Sequence, residues 1–177
     1  KGLWMELNNR PGYSKEYQQG KGNDLYRRSI YTFWKRTVPS PMLKTFDAPE
    51  REFCTTRRSR TNTPLQALAL LNGPQFVEAA RHLAERMLIE GGQTLNERIT
   101  YGFRLVTARI PGQSELALLR SAYTENLQHF GANKAAAHKL LQVGDSPYNT
   151  SLNISKLAAM TSVARLLFNL NETVTKG

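Results

Sequence analysis

From Pro64 to Asn171 apolar residues return every three or four positions, and proline, glycine and capping residues cut the run into segments. That spacing puts the apolar side chains of each segment on one helical face. No apolar/polar alternation longer than four residues occurs, so strands are not indicated. The sequence therefore reads as all-α, an irregular multi-helix domain with a loop-rich N-terminal segment. Short connections favour antiparallel neighbours. Residues 1–177 are taken as one domain, with an irregular lead-in at 1–23 and a helical region at 24–177.

The segments can be placed from their ends. Asp24 is expected to cap an amphipathic helix over Leu25–Thr37. Tyr26, Ile30, Phe33 and Trp34 face inward there, with Arg27, Arg28 and Lys35 outward, until Pro39 and Pro41 stop it. Asp47 and Glu50 have capping-box spacing, which predicts one short turn around Ala48–Phe53. Thr63 as N-cap and Pro64 as first helical residue open a helix to Leu71. That helix is apolar nearly all round and is expected to be buried on most sides. Asn72-Gly73-Pro74 turns the chain. Gln75–Glu90 carries a core stripe of Phe76, Ala80, Leu83, Ala84, Met87 and Leu88, and Gly91-Gly92 ends it.

Thr94 and Glu97 form a capping box that opens Leu95–Ala108, with Ile99, Phe103 and Val106 inward. Ser114 is read as the cap of Glu115–Phe130, which Gly131 stops. A shorter helix over Asn133–Val143, a polar loop over Gly144–Asn153 and an apolar helix over Ser155–Asn171 complete the chain.

Charge narrows the partners. The net charge is +10 over 177 residues, and residues 1–60 carry 13 Lys+Arg against 6 Asp+Glu, a net +7. Such a segment favours phosphates, sulfates, anionic lipids or an acidic protein surface. No stretch approaches the roughly 20 apolar residues of a membrane helix, so no transmembrane segment is expected. Lys1-Gly2-Leu3-Trp4 is not a signal peptide and lacks an initiator Met, which suggests processing or a piece of a longer protein.

The chain's single cysteine, Cys54, cannot form an internal disulfide, a CxxCH haem attachment or a cysteine-rich zinc site. It is expected to be a small buried apolar residue. His82, His129 and His138 fall on separate predicted helices without an acidic cluster, and His82 and His129 read as exposed helix residues. There is no HExxH, CxxC, EF-hand, GxSxG or SxxK pattern and no phosphate-cradling glycine loop. No catalytic, cofactor or metal residue is assigned.

One cluster remains. Arg51, Arg57, Arg58 and Arg60 precede the helix start at Thr63. Free N–H groups and the helix dipole at that start favour an anion, which guanidinium groups could grip bidentately. Alternatively the arginines pair with Asp47, Glu50 and Glu52 and pin the connector, and three carboxylates so close favour this structural reading. Nucleic acid suits the high pI, but Tyr26, Phe33 and Trp34 sit on the predicted apolar stripe, where they would build core instead of stacking on bases. Nucleic acid is therefore not the expected partner.

The sequence Asp24-Leu25-Tyr26-Arg27-Arg28-Ser29-Ile30-Tyr31-Thr32-Phe33-Trp34-Lys35-Arg36-Thr37 resembles a planctomycete-type family, the domain of unknown function 1553. The likeness continues through Phe46–Glu52, Cys54, Arg57–Asn72, Phe76–Arg81 and Leu167–Thr173, and includes Gly2-Leu3-Trp4. The family tends to carry acidic residues where Gly73 and Asn171 stand. The resemblance implies the C-terminal part of a larger domain in a large exported bacterial protein, in the periplasm or cell envelope. It implies a further domain and often a cytochrome-c-like domain upstream, so any haem would lie there and not in this chain. The missing N-terminal part of the same protein would then be a partner. Three functions follow as expectations: a helical interaction or scaffold module, redox-linked through that upstream domain; part of an enzyme on acidic or sulfated glycans; or a polyanion or nucleic-acid binder.

Overall fold

The computed structural model describes residues 20–34, 39–49, 52–57 and 59–175. The lead-in at 1–19 lies outside them. The chain divides into two compact units, Lys1–Gln66 and Ala67–Gly177. Among the described residues there are eight α-helices and no strand, so the all-α expectation holds. They are α1 Pro41–Thr45, α2 Pro64–Asn72, α3 Pro74–Glu90, α4 Leu95–Thr107, α5 Gln113–Ala132, α6 Lys134–Leu141, α7 Ile154–Phe168 and α8 Asn171–Val174.

In the second unit α7 is central: α3, α4, α5, α6 and α8 all pack against it. Leu157, Ala158, Ala159, Met160, Val163, Ala164 and Leu167 of α7 are buried. A helix buried on so many sides has lost the usual polar face. The core continues through Ala80, Leu83, Ala84 and Met87 of α3, Ile99 and Phe103 of α4, and Leu119, Tyr123 and Phe130 of α5. Each fully buried Leu, Met or Phe contributes about 1.5–3 kcal/mol. The capping box is present as expected: Thr94 Oγ1 accepts from the Glu97 amide, and Glu97 accepts from the Thr94 amide. On α7 Arg165 Nε donates to the Leu71 carbonyl at 2.9 Å, satisfying a C-terminal carbonyl of α2.

Several boundaries differ from the sequence reading. Leu25–Thr37 is not one helix: Gly22–Tyr26 and Ser29–Tyr31 form separate 3-10 turns, and Lys35–Val38 lie outside the described residues. Asp24 pairs with Arg27 at 2.7 Å and caps nothing. Tyr26, Ile30 and Phe33 are exposed. Tyr31, Thr32, Phe33 and Trp34 lose rotamer freedom in a helix, and a helix this short is marginal unless its apolar face is covered.

The short helix of the connector lies before Asp47, in α1, and 48–49 and 52–53 are not helical. Asp47 takes the left-handed conformation, φ 56°, and turns its carboxylate to Thr61 and Gln66. Leu65 and Leu68 of α2 are exposed, so that helix is buried on one side only.

α5 begins at Gln113, with Gly112 in place of Ser114 at its cap, because Glu115 reaches back to the Gly112 amide at 2.7 Å. It runs through Gly131. Asn133 separates α5 from α6, and its side chain accepts from the Ala136 amide. α7 stops at Phe168, and Asn171 starts a further short turn.

Gly73 also has a local reason. A Cβ there would lie 2.7 Å from the Ala69 carbonyl oxygen and 3.0 Å from the Phe76 ring. The tight turn between α2 and α3 thus leaves no room for the acidic residue that the resemblance would put there.

Candidate functional site

Two polar constellations stand out, one in each unit. The first closes the connector. Thr63 Oγ1 accepts from the Gln66 amide at 3.3 Å and the Thr63 amide donates to Gln66 Oε1 at 2.9 Å, so Thr63 caps α2 reciprocally with Gln66. Gln66 is 1% exposed. Its Nε2 donates to the Thr45 carbonyl and to Thr61 Oγ1, both at 2.9 Å. Thr61 in turn donates to Asp47 Oδ2 from its hydroxyl at 2.7 Å and from its amide at 2.9 Å. Asp47, Thr61, Thr63 and Gln66 therefore staple the two ends of residues 48–60 together.

Of the arginine cluster, Arg57 and Arg60 lie on this loop and are exposed, and no ion pair joins either to a described residue. Arg51, Arg58 and Glu50 lie outside the described residues. Cys54 is exposed, against the expectation of burial, as are its described neighbours at 52–57. Gln66, the centre of the staple, escaped the sequence reading. A glutamine three residues after a Thr N-cap is the signal that marks it.

The second constellation lies on α3, where Glu78, Arg81, His82 and Glu85 follow helical spacing and meet the polar loop after α6. Glu78 and Arg81 are buried. The Glu78 carboxylate accepts from the Asp145 amide at 3.0 Å, the Ser146 amide at 2.9 Å and the Ser146 hydroxyl. Successive amides after a positive-φ glycine, here Gly144, form a nest for an anion. Arg81 donates to the Leu141 carbonyl at 2.6 Å, the Ser146 carbonyl at 2.8 Å and Ser146 Oγ at 2.7 Å. His82 Nε2 lies 2.8 Å from Ser146 Oγ, and its Nδ1 lies 3.1 Å from Glu85 Oε2. Glu85 also accepts from the Asn149 amide at 2.9 Å.

Ser146, His82 and Glu85 thus have the distances of a catalytic triad, though no sequence motif announced one. The hydrogen-bond directions differ from a nucleophile's. A nucleophilic serine directs its proton to histidine and keeps amides open for an oxyanion. Here the serine proton goes to Glu78, and the amides of Asp145 and Ser146 already hold that carboxylate. The group acts as a clasp that fixes the 144–149 loop on α3.

A groove of about 770 Å³ runs beside the α3–α4 turn, lined by residues that include Glu90, Asn96, Tyr101, Arg104 and Leu105. Its acids are engaged: Glu90 with Arg86 and Tyr101, Glu97 in the α4 cap. Among the described residues no group of three or more His, Cys, Asp or Glu could hold a metal, and no helix is long and apolar enough to cross a membrane.

The fold and these two constellations define an all-α protein with a stapled basic loop and a buried carboxylate clasp. The chain belongs to the PSD1 family, a protein of unknown function (DUF1553), whose model matches residues 5–123. That match is about two-thirds of the chain and ends within α5, so α6, the 144–149 loop and α7 lie beyond it. No curated protein and no solved structure matches the chain.

Proposed function

We propose that this chain is a helical interaction module of a larger exported bacterial protein, redox-linked through an upstream cytochrome-c-like domain. One observation carries the interaction role. Among the described residues of the first unit no hydrophobic side chain is buried, while Tyr26, Ile30, Tyr31, Phe33, Phe53 and Leu65 are exposed. Exposed aromatic and aliphatic groups gathered in one compact unit, Ile30, Tyr31, Phe53 and Leu65 chief among them, favour a surface that another surface covers. The enzyme alternative finds less support, because the polar groups of both constellations, apart from the buried Arg81 Nε, are engaged with each other.

Limited proteolysis tests the interaction role. The native full-length protein is compared with the isolated chain. Residues 22–34 should be cut readily in the isolated chain and protected in the full-length protein. Equal cleavage in both would count against the module. In-gel haem staining of the native protein tests the redox link, and a haem-free band would remove it.

A polyanion or nucleic-acid role gains one observation. Tyr31 is exposed close to Arg27 and Arg28 in sequence instead of building core, where its ring could stack on a base. Binding of a labelled single strand that weakens steeply with salt would support this reading, and no binding at low salt would end it.

A further inference from the structure

We infer that the groove along α4 is a binding site for a small carboxylic acid with an apolar body. It stands apart from the interaction role above, which rests on the first unit, because every lining residue belongs to the second. Helical spacing sets two rows of side chains next to each other along the groove. Asn96, Thr100 and Arg104 fall four apart in one row, and Glu97, Tyr101 and Leu105 fall four apart in the other. Ile99 and Phe103, the buried pair of α4, lie on a different side of the helix, so the groove rows are not spent on the core.

The charged residues of the lining differ in what they have left to bind. Glu90 accepts from Arg86 at 3.0 Å and from the Tyr101 hydroxyl. Glu97 accepts from the Gln93 and Thr94 amides, both at 2.9 Å, at the positive end of the α4 dipole. Arg104 is exposed, and its guanidinium has no hydrogen-bond or ion-pair partner among the described residues. The side chains of Asn96 and Thr100, in the same row, have none among them either. The lining thus offers one unmatched cation with two neutral polar groups in line. Beside that row Leu105 is 47% exposed and supplies an apolar wall.

A groove of about 770 Å³ has the size of a small-molecule site, and such sites join apolar surface to a few polar groups that fix orientation. A guanidinium takes a planar carboxylate through two parallel hydrogen bonds. The carboxylate therefore pairs with Arg104, and the body lies over Leu105 and the Tyr101 ring. An amine on the same body meets Arg104 as a like charge.

Amide shifts of the isotope-labelled full chain, followed by NMR, test the site with three probes: phenylbutyrate, phenylbutylamine and acetate. Whatever they show, the proteolysis comparison decides the interaction role separately. Phenylbutyrate should give saturable shifts confined to residues 90–108, with acetate and the amine far weaker. Arg104→Ala should weaken phenylbutyrate by about tenfold or more, and Leu105→Gln by about fivefold. Arg104→Lys should bind more tightly than Arg104→Ala, and all three exposed substitutions should leave the melting temperature unchanged. Equal affinity for the amine or for acetate, unchanged binding by Arg104→Ala, or no saturable shift at 90–108 with millimolar phenylbutyrate would each overturn the site.

Discussion

Gly144 lies directly against the carboxylate of Glu78, sixty-six positions earlier in the chain. Gly144 has φ 104°, and a Cβ there would overlap Glu78 Oε2 and sit 2.6 Å from its carboxyl carbon. Loop backbone and buried acid can approach this closely only with glycine at that position. Gly144→Ala adds about 1–2 kcal/mol of left-handed strain and also displaces the carboxylate from its amide nest. Urea unfolding should show a loss clearly above that strain alone.

The clasp also ranks its own members. Glu78→Ala removes the acceptor of two backbone amides and a hydroxyl, and it leaves Arg81 buried without its anion. Breaking such a buried pair costs about 3–5 kcal/mol. Ser146→Ala removes the hydroxyl that donates to Glu78 and accepts from Arg81 but leaves both backbone amides on Glu78, and should cost about 1.5–3 kcal/mol. Thermal melts of the two variants check the order. A fluorophosphonate reagent should leave Ser146 unmodified by mass spectrometry, because its proton is held by Glu78. An adduct at Ser146 would restore the triad reading.

Acid should loosen the α4–α5 turn. Arg109 bonds to Glu115 and to Glu172, and with the Gly112 amide it holds the Glu115 carboxyl down to about 2. A carboxyl lowered in the folded state adds stability above its ordinary range and loses it as pH falls towards the folded value. The melting temperature should therefore drop between about pH 5 and about pH 2, and Glu115→Gln should flatten that drop. An identical pH profile in the variant would mean that Arg109 contributes nothing through Glu115.

The staple residues Asp47, Thr61, Thr63 and Gln66 all belong to the first unit. Gln66→Leu keeps the volume roughly constant but leaves the Thr45 carbonyl and the Thr63 amide without their partner. Thr45 is half-buried and Thr63 exposed, so water replaces part of each lost bond and the cost should be about 0.5–1.5 kcal/mol apiece. Hydrogen exchange at the Thr61 and Thr63 amides should quicken, while exchange in α7 stays unchanged.

Local signals were legible wherever one segment settles its own structure. The Thr94–Glu97 box, the Gly91-Gly92 stop and the apolar stripe of α3 needed only neighbours three or four residues apart. Thr63 as a cap was legible for the same reason. Contacts across long separations were hidden. Gln66 meets Thr45, and Glu78 and Arg81 meet Ser146, at distances along the chain that no periodicity reports. Glu78 and Arg81 are polar residues outside the apolar stripe of α3, yet both are buried, bonded to the 144–149 loop. The 25–34 segment failed in the opposite way. Its apolar spacing suggested a helix, but Tyr26, Ile30 and Phe33 are exposed, and spacing alone does not bury a side chain.

The place of α7 in the order of synthesis gives the second unit a vulnerable interval. A ribosome delivers α3, α4, α5 and α6 before the helix they all touch. Until residues 154–168 emerge, Met87, Ile99, Phe103 and Leu141 have only partial cover. Such half-covered chains are the species that aggregate and engage chaperones. A stop codon or frameshift anywhere between α6 and α7 would thus release four helices stripped of their shared centre, and a cell would meet that product as a quality-control substrate.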